Sequence, residues 1–354
     1  MSITFRPSAI AVLGAALIVT GVVITKRTSA QSTAATAADA TSRIVAAANA
    51  VLASLDEAGR AKVQFPLEGP QKTRWSNLPS PMFQRQGLLL ADLAPAQRTA
   101  VTTLLTTALS KEGYRKVTEI MRGDEVLKTG SGGGGRGRGG AGGGPSFGED
   151  QYYLAFLGAP STTSPWLLQF GGHHLAINLA LAGSRASMTP SLPAAQPARF
   201  TIEGREIRPL GKENDKAFAL VNALDATVRS QAILTSRVSD LVLGPGQDGR
   251  VIQPEGARVS TFTPAQQTML LELVREWAGI MNDAFAEPRM AELRANLPQT
   301  YFAWSGPTTD GSVAYFRIQG PTLVIEYAPQ NTVDHVHTIY RDPTNDYGAK
   351  FVAK

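Results

Sequence analysis

Apolar residues first recur at helical spacing in the stretch from Thr41 to about Arg60. Ile44, Val45, Ala48, Val51, Leu52 and Leu55 fall on one stripe there and predict an amphipathic helix. Two more helices are predicted to start at prolines. Val101, Leu104, Leu105 and Leu109 follow Pro95, and Leu270, Leu271, Val274 and Ala278 follow Pro264. Proline suits a first helical turn, where its missing N–H is not needed. Thr263 and Gln266 add the spacing of a capping box. The aromatic-rich runs Tyr153–Gly158 and Tyr301–Gly306 are strand-like, as are Gly172–Leu181 and Gly320–Glu326.

These elements repeat. Leu93-Ala-Pro-Ala-Gln-Arg-Thr99 returns as Phe262-Thr-Pro-Ala-Gln-Gln-Thr268, and Gly172-His-His-Leu-Ala-Ile-Asn178 answers Gly320-Pro-Thr-Leu-Val-Ile-Glu326. The copies lie 148 positions apart in the strands and 169 at the helices, and the difference falls where the first copy carries the run Gly130–Gly144. One insertion accounts for it. The expected fold is therefore α+β: two related helix-plus-sheet halves, about 85–181 and 255–327, packed as one body over 41–354. The glycine run, with Arg136 and Arg138, reads as an expanded surface loop rather than a nucleic-acid segment, since no aromatic residues are interleaved. Thr189–Pro197 reads as a second loop, and 31–40, rich in Ala, Thr and Ser, as a linker.

Composition narrows the class. With 43% hydrophobic and 18% charged residues the chain of 354 is globular, and its net charge of +5 is spread too evenly to mark a nucleic-acid partner. There is no cysteine, so any metal must be held by nitrogen and oxygen. At the N-terminus, Arg6 precedes the apolar stretch Ala9–Ile24, then Lys26-Arg27 and the small residues Thr28-Ser29-Ala30. This order predicts a signal peptide over 1–30 with cleavage after Ala30, and a secreted or periplasmic protein. The alternative is an uncleaved anchor, although about 20 apolar residues are needed to span a bilayer and this stretch is shorter. A membrane is a partner only in that case.

The histidines carry the chemistry. His173, His174, His335 and His337 fall as an adjacent pair and an i, i+2 pair, with no histidine elsewhere. On a strand running through Gly172–Leu181, His174 shares a face with Ala176 and Asn178, and His173 takes the other. His335 and His337 share a face of Val333–Ile339. The expected metal ligands are accordingly His174, His335 and His337, holding a divalent transition metal, with zinc first and copper or iron next. Glu326 ends an apolar run and is the candidate fourth ligand or general base; a salt bridge to Arg317 or Arg341 is the alternative. His173 is assigned acid–base work or support of the ligands. Arg317, Arg341, Asn178 and Tyr347 are the candidate contacts to a small-molecule substrate, against the alternative that Arg341–Gly348 is simply a polar turn. Gly244–Gly249 lacks the residues of a phosphate loop and reads as a turn.

Several blocks resemble the domain-of-unknown-function 3500 family. They are Arg85-Gln-Gly-Leu88, Gly158-Ala-Pro-Ser161, Gly172-His-His-Leu175, Tyr315-Phe-Arg-Ile-Gln-Gly-Pro321, Ile325-Glu326, and His335-Val-His-Thr338 with Arg341-Asp-Pro343. The resemblance runs from about residue 42 to the C-terminus and implies no activity. Where that family tends toward Glu-Phe-Asp-His-Gln, this chain has Glu326-Tyr-Ala-Pro-Gln330 and lacks a further histidine. The residues predict an exported metal-dependent enzyme, a hydrolase ahead of an oxidoreductase. A non-catalytic binding protein for metal or a small anion is the alternative. Nothing in the pattern specifies an oligomeric state.

Overall fold

The computed structural model describes residues 37–130 and 145–352, together with Met1, Ser2 and Thr4. Nearly all of the expected signal segment and of the glycine run lies outside the described residues. The first half comprises α1 (37–53), α2 (Glu57–Val63), β1 (Gln64–Phe65), β2 (Leu88–Leu89), α3 (Pro95–Ala108), α4 (Lys111–Thr129), β3 (Tyr153–Leu157), β4 (Trp166–Gly172), β5 (Leu175–Ala182) and β6 (Arg185–Ser187). Between the halves come β7 (Leu192–Pro193), β8 (Phe200–Ile202), β9 (Arg205–Ile207), α5 (Gly211–Ala223) and α6 (Ala226–Ala232). The second half contains β10 (Ala257–Arg258), α7 (Pro264–Ala278), α8 (Asp283–Ala295), β11 (Tyr301–Ser305), β12 (Tyr315–Gly320), β13 (Leu323–Pro329), β14 (Val336–Arg341) and α9 (Ala349–Val352). The fold is α+β, as expected.

Two boundaries differ from the sequence pattern. Helix α1 begins at 37, inside the stretch taken for a linker. The single helix expected to reach Arg60 is two, because Asp56 caps α2 by accepting the Gly59 N–H at 2.8 Å. The proline-started helices fall where expected. Gln97 and Gln266 each reach back to the N-cap backbone N–H, of Ala94 at 2.9 Å and of Thr263 at 2.8 Å.

The two halves share their element order and register. β2 pairs antiparallel with β3, as β10 does with β11. Tyr153 lies opposite Gly171 and Tyr301 opposite Gln319; Gly172 lies opposite Leu175 and Gly320 opposite Leu323. All these positions keep the separation of 148 read in the sequence.

Strand alternation divides the sheets into two faces. Leu154, Phe156, Leu168, Phe170, Ile177 and Leu179 pack with Ile44, Val51, Leu104 and Ile120 under α1, α3 and α4. Phe302, Trp304, Phe316, Ile318 and Ile325 do the same under α5, α7 and α8. The other face is overlaid by irregular segments and the C-terminal tail, in smaller clusters around Trp75, Ala176, Leu192, Ala194 and Ile339 and around Ala155, Leu157, Leu167 and Ala180.

The stretch expected to be a proline-rich loop is mostly irregular but contains the two-residue strand β7, which with two flanking bridges links the sheets. β7 pairs antiparallel with β5, with Leu175 opposite Pro193. Its flanking residues Ser191 and Ala195 exchange N–H···O bonds with Tyr340 and Val336 of β14, at 2.8 and 2.9 Å. Pro193 fits because the bonds are made by its neighbours, while its own carbonyl accepts the Thr338 hydroxyl at 2.5 Å. β5 and β14 thus run parallel on either side of residues 191–195. That register sets His174, Ala194 and His337 in one row, with two strand spacings of roughly 5 Å each between the outer pair. The centroids of these two imidazoles are 5.5 Å apart.

Candidate metal centre

His173 and His174 are not strand residues. They are the central pair of the β4–β5 turn, between the paired Gly172 and Leu175. His174 has φ 57°, in the left-handed region that histidine enters more readily than most non-glycine residues. Gly172 must be glycine, since a Cβ there would lie 2.6 Å from the Tyr152 ring. The turn overrides the alternation that was expected to send the two histidines to opposite faces. Their rings lie side by side, with centroids 3.7 Å apart and a 30° tilt.

The His174 imidazole meets those of His335 and His337. His335 immediately precedes β14 and His337 is its second residue. The Nε2 atoms of His174 and His335 are 3.0 Å apart, as are those of His335 and His337. Ligand atoms of all three histidines lie within 4.8 Å of one another. Asp240 Oδ1 lies 3.4 Å from His337 Nδ1 and accepts the Leu241 N–H at 2.7 Å and the Gln330 amide at 2.8 Å. A proton on His337 Nδ1 shared with this carboxylate leaves the Nε2 lone pair facing the other rings. On that side the Asn77 amide Nδ2 is 3.2 Å from Nε2.

Hydrogen bonding alone does not satisfy this arrangement. A neutral imidazole Nε2 carries one proton or one lone pair, so it makes one good contact along its axis. His335 Nε2 has two nitrogen neighbours at 3.0 Å, and His337 Nε2 has a second suitor in Asn77. A cation at the shared point accepts all three lone pairs at once. Burial, with the neighbouring imidazoles adding to it, lowers the pKa of His174 far below the ordinary histidine value, and brings that of His335 down to about 4. Both rings are neutral near pH 7, the form that binds a metal. His174 Nδ1 is buried and has no hydrogen-bond partner.

His173 belongs to an adjoining dyad. Its Nδ1 is 2.7 Å from Oδ1 of Asp124, on α4, and the Tyr152 hydroxyl lies 2.9 Å from the other carboxylate oxygen and 3.0 Å from the His173 carbonyl. Burial raises the Asp124 pKa, with the contacts from His173 and Tyr152 opposing it. Asp124, Asn77 and Asp240 were missed in the sequence. Asp124 did leave a signal: it sits with Ile120 and Leu127 on the buried stripe of α4, an unusual place for a carboxylate without a partner. Asn77 and Asp240 lie in irregular segments with no periodicity to mark them.

Glu326 is brought to the same face as His337 but is otherwise engaged. Its carboxylate accepts the N–H groups of Val242 at 2.7 Å and Leu243 at 2.8 Å, and the Tyr315 hydroxyl at 2.9 Å. It thus anchors the segment that delivers Asp240, and it is in neither of the two groups whose ligand atoms converge within 4.8 Å, His174 with His335 and His337, and His174 with His173 and Asp124. Arg317 lies opposite it in register, yet its guanidinium pairs with Glu255 at 2.6 Å. Arg341 bonds to Asp248 at 3.0 Å, Asp346 at 2.9 Å and the Leu243 carbonyl at 2.8 Å. Asn178 is fully buried, accepting the Gln169 amide at 2.9 Å and donating to the Pro190 carbonyl at 2.8 Å. The Tyr347 hydroxyl accepts from the Trp75 indole and donates to Asp248, both at 2.7 Å. Arg341 and Tyr347 line a cleft with Asp248, Arg250 and Asp346, away from the histidines.

Three histidines that could hold a metal ion thus converge on the loop-covered face of the sheets. The chain belongs to the family described as protein of unknown function (DUF3500), whose pattern matches residues 37–349. No curated protein matches the chain, and no solved structure does.

Proposed function

We propose that this is an extracytoplasmic metal-dependent hydrolase of small molecules, with His174, His335 and His337 holding a divalent transition metal, zinc before copper or iron. The observation that carries the proposal is the convergence of three Nε2 atoms, 3.0 Å apart along the row, with too few protons and lone pairs to satisfy each other. Three nitrogen ligands with a further open position are the donor set of catalytic rather than closed structural zinc sites. When bound, the ion supplies Lewis acidity and the activation of water. His173, packed against the His174 ligand ring and oriented by Asp124, is the group to take up and return the proton. The order of residues in the N-terminal segment supports export, and the shared register of the halves supports an origin by duplication.

A second proposal, metal binding without turnover, draws support from the burial of His174 and His337, 2% and 8% exposed. The small-anion variant has less behind it, because Arg317 and Arg341 are already paired with carboxylates.

Zinc-loaded protein assayed on ester, phosphoester and amide panels separates these. The hydrolase predicts turnover that falls by about 100-fold or more in His173→Gln, with zinc content unchanged. Full zinc occupancy with no turnover on any panel would leave the binding protein instead.

A further inference from the structure

We infer that Asn77 is the protein's fourth ligand to the ion, through its side-chain oxygen; this rests on the three-histidine centre proposed above. No fourth imidazole or carboxylate among the described residues joins the three histidines within 4.8 Å. The group that does reach the centre is the Asn77 amide, 3.2 Å from His337 Nε2. Ligands around a tetrahedral ion with bonds of about 2.0–2.1 Å sit roughly 3.3 Å from one another. The contacts along His174, His335, His337 and Asn77 measure 3.0, 3.0 and 3.2 Å, close to three of the six edges of such a shell, and the ligand atoms of the three histidines lie within 4.8 Å of one another. A half-turn of the planar amide exchanges Nδ2 for Oδ1 without changing its shape, and the oxygen is the atom that binds a metal.

The backbone around Asn77 is fixed to the ligand turn rather than left as a free loop. The His174 N–H donates to the Asn77 carbonyl at 3.1 Å. Arg85 Nη2 lies 2.7 Å from each of three carbonyls, those of Ser76, Leu78 and Gly172. One guanidinium thus ties both neighbours of Asn77 to the residue preceding His173. Arg85 is a positioning residue: it holds the amide against the centre without touching it. The resulting shell has three neutral nitrogens and one neutral oxygen, so the full charge of the ion remains. An anionic ligand, or water that readily loses a proton, would then enter as a fifth ligand or by displacing the neutral amide oxygen.

Zinc affinity and the visible spectrum of the cobalt(II) form, measured on tag-free full-length wild type, Asn77→Ala and Asn77→Asp, decide the assignment. Loss of the amide is expected to weaken zinc binding by about 10- to 100-fold and to shift the cobalt spectrum. Asn77→Asp, which keeps an oxygen in place and adds charge, is expected to bind zinc at least as tightly as wild type. An Asn77→Ala protein with wild-type affinity and spectrum overturns the assignment. So does an Asn77→Asp protein as weak as the alanine variant, since the loss then comes from packing. If the wild type takes up neither metal, the three-histidine centre falls along with it.

Discussion

Alanine in place of His337 is expected to give a folded protein that no longer retains zinc. His337 supplies one of three converging nitrogens and is oriented through its other nitrogen by Asp240. Removing an outer partner of a ligand typically costs 10- to 100-fold in metal affinity, so removing the ligand itself should weaken binding by more than about 100-fold. The backbone of β14 is held by ladders to β13 and to residues 191–195, which the substitution leaves in place. The melting temperature of the metal-free protein should therefore move little, while the rise on adding zinc, which reports binding to the folded state, should vanish. Titration calorimetry and thermal denaturation with and without zinc check both halves of this expectation.

Glu326→Ala should do the reverse, with a large loss of stability and zinc stoichiometry kept. The carboxylate satisfies two backbone N–H groups and a tyrosine hydroxyl in a fully buried setting. Each buried donor left without a partner costs about 1–3 kcal/mol, so the total should reach roughly 3 kcal/mol or more. Chemical denaturation of the metal-free protein measures it. The wild type should also show a pH signature here. Burial, acting against the bonds from Val242, Leu243 and Tyr315, raises the Glu326 pKa above the ordinary carboxylate value. Between those two values the folded chain holds a proton that the unfolded chain has released, so this group's contribution to stability declines as pH rises through the window. Glu326→Ala removes that slope. A role for Glu326 as fourth ligand predicts the opposite outcome, loss of the metal.

The local chemistry of the fold was legible in the sequence. Pro95 and Pro264 start α3 and α7, and their glutamines close the caps. The aromatic runs are strands β3 and β11. The histidines were also legible as a group, because their clustering needs no knowledge of topology. What failed was the rule for faces. It holds only where the chain stays extended, and the chain reverses at His173-His174. Within residues 189–197, the short strand β7 and its flanking bridges were not legible, because proline content argues against a strand and the partners, in β5 and β14, lie outside the local pattern. Asn77, Asp124 and Asp240 come from three separate segments, and only the packed fold brings them to the histidines. Arg317 and Arg341 were candidate contacts to a small-molecule substrate, and in the fold both guanidiniums pair with carboxylates. The partners, Glu255, Asp248 and Asp346, lie in loops and the tail, where periodicity gives no guidance.

The most direct test of the three-histidine centre is elemental analysis of protein produced without a polyhistidine tag, dialysed against a slight excess of zinc and then freed of loosely bound metal. The centre predicts about one ion retained per chain, as three converging imidazoles require, and loss of that ion in His337→Ala. Trace metal in the wild type, or equal retention in wild type and His337→Ala, would contradict it.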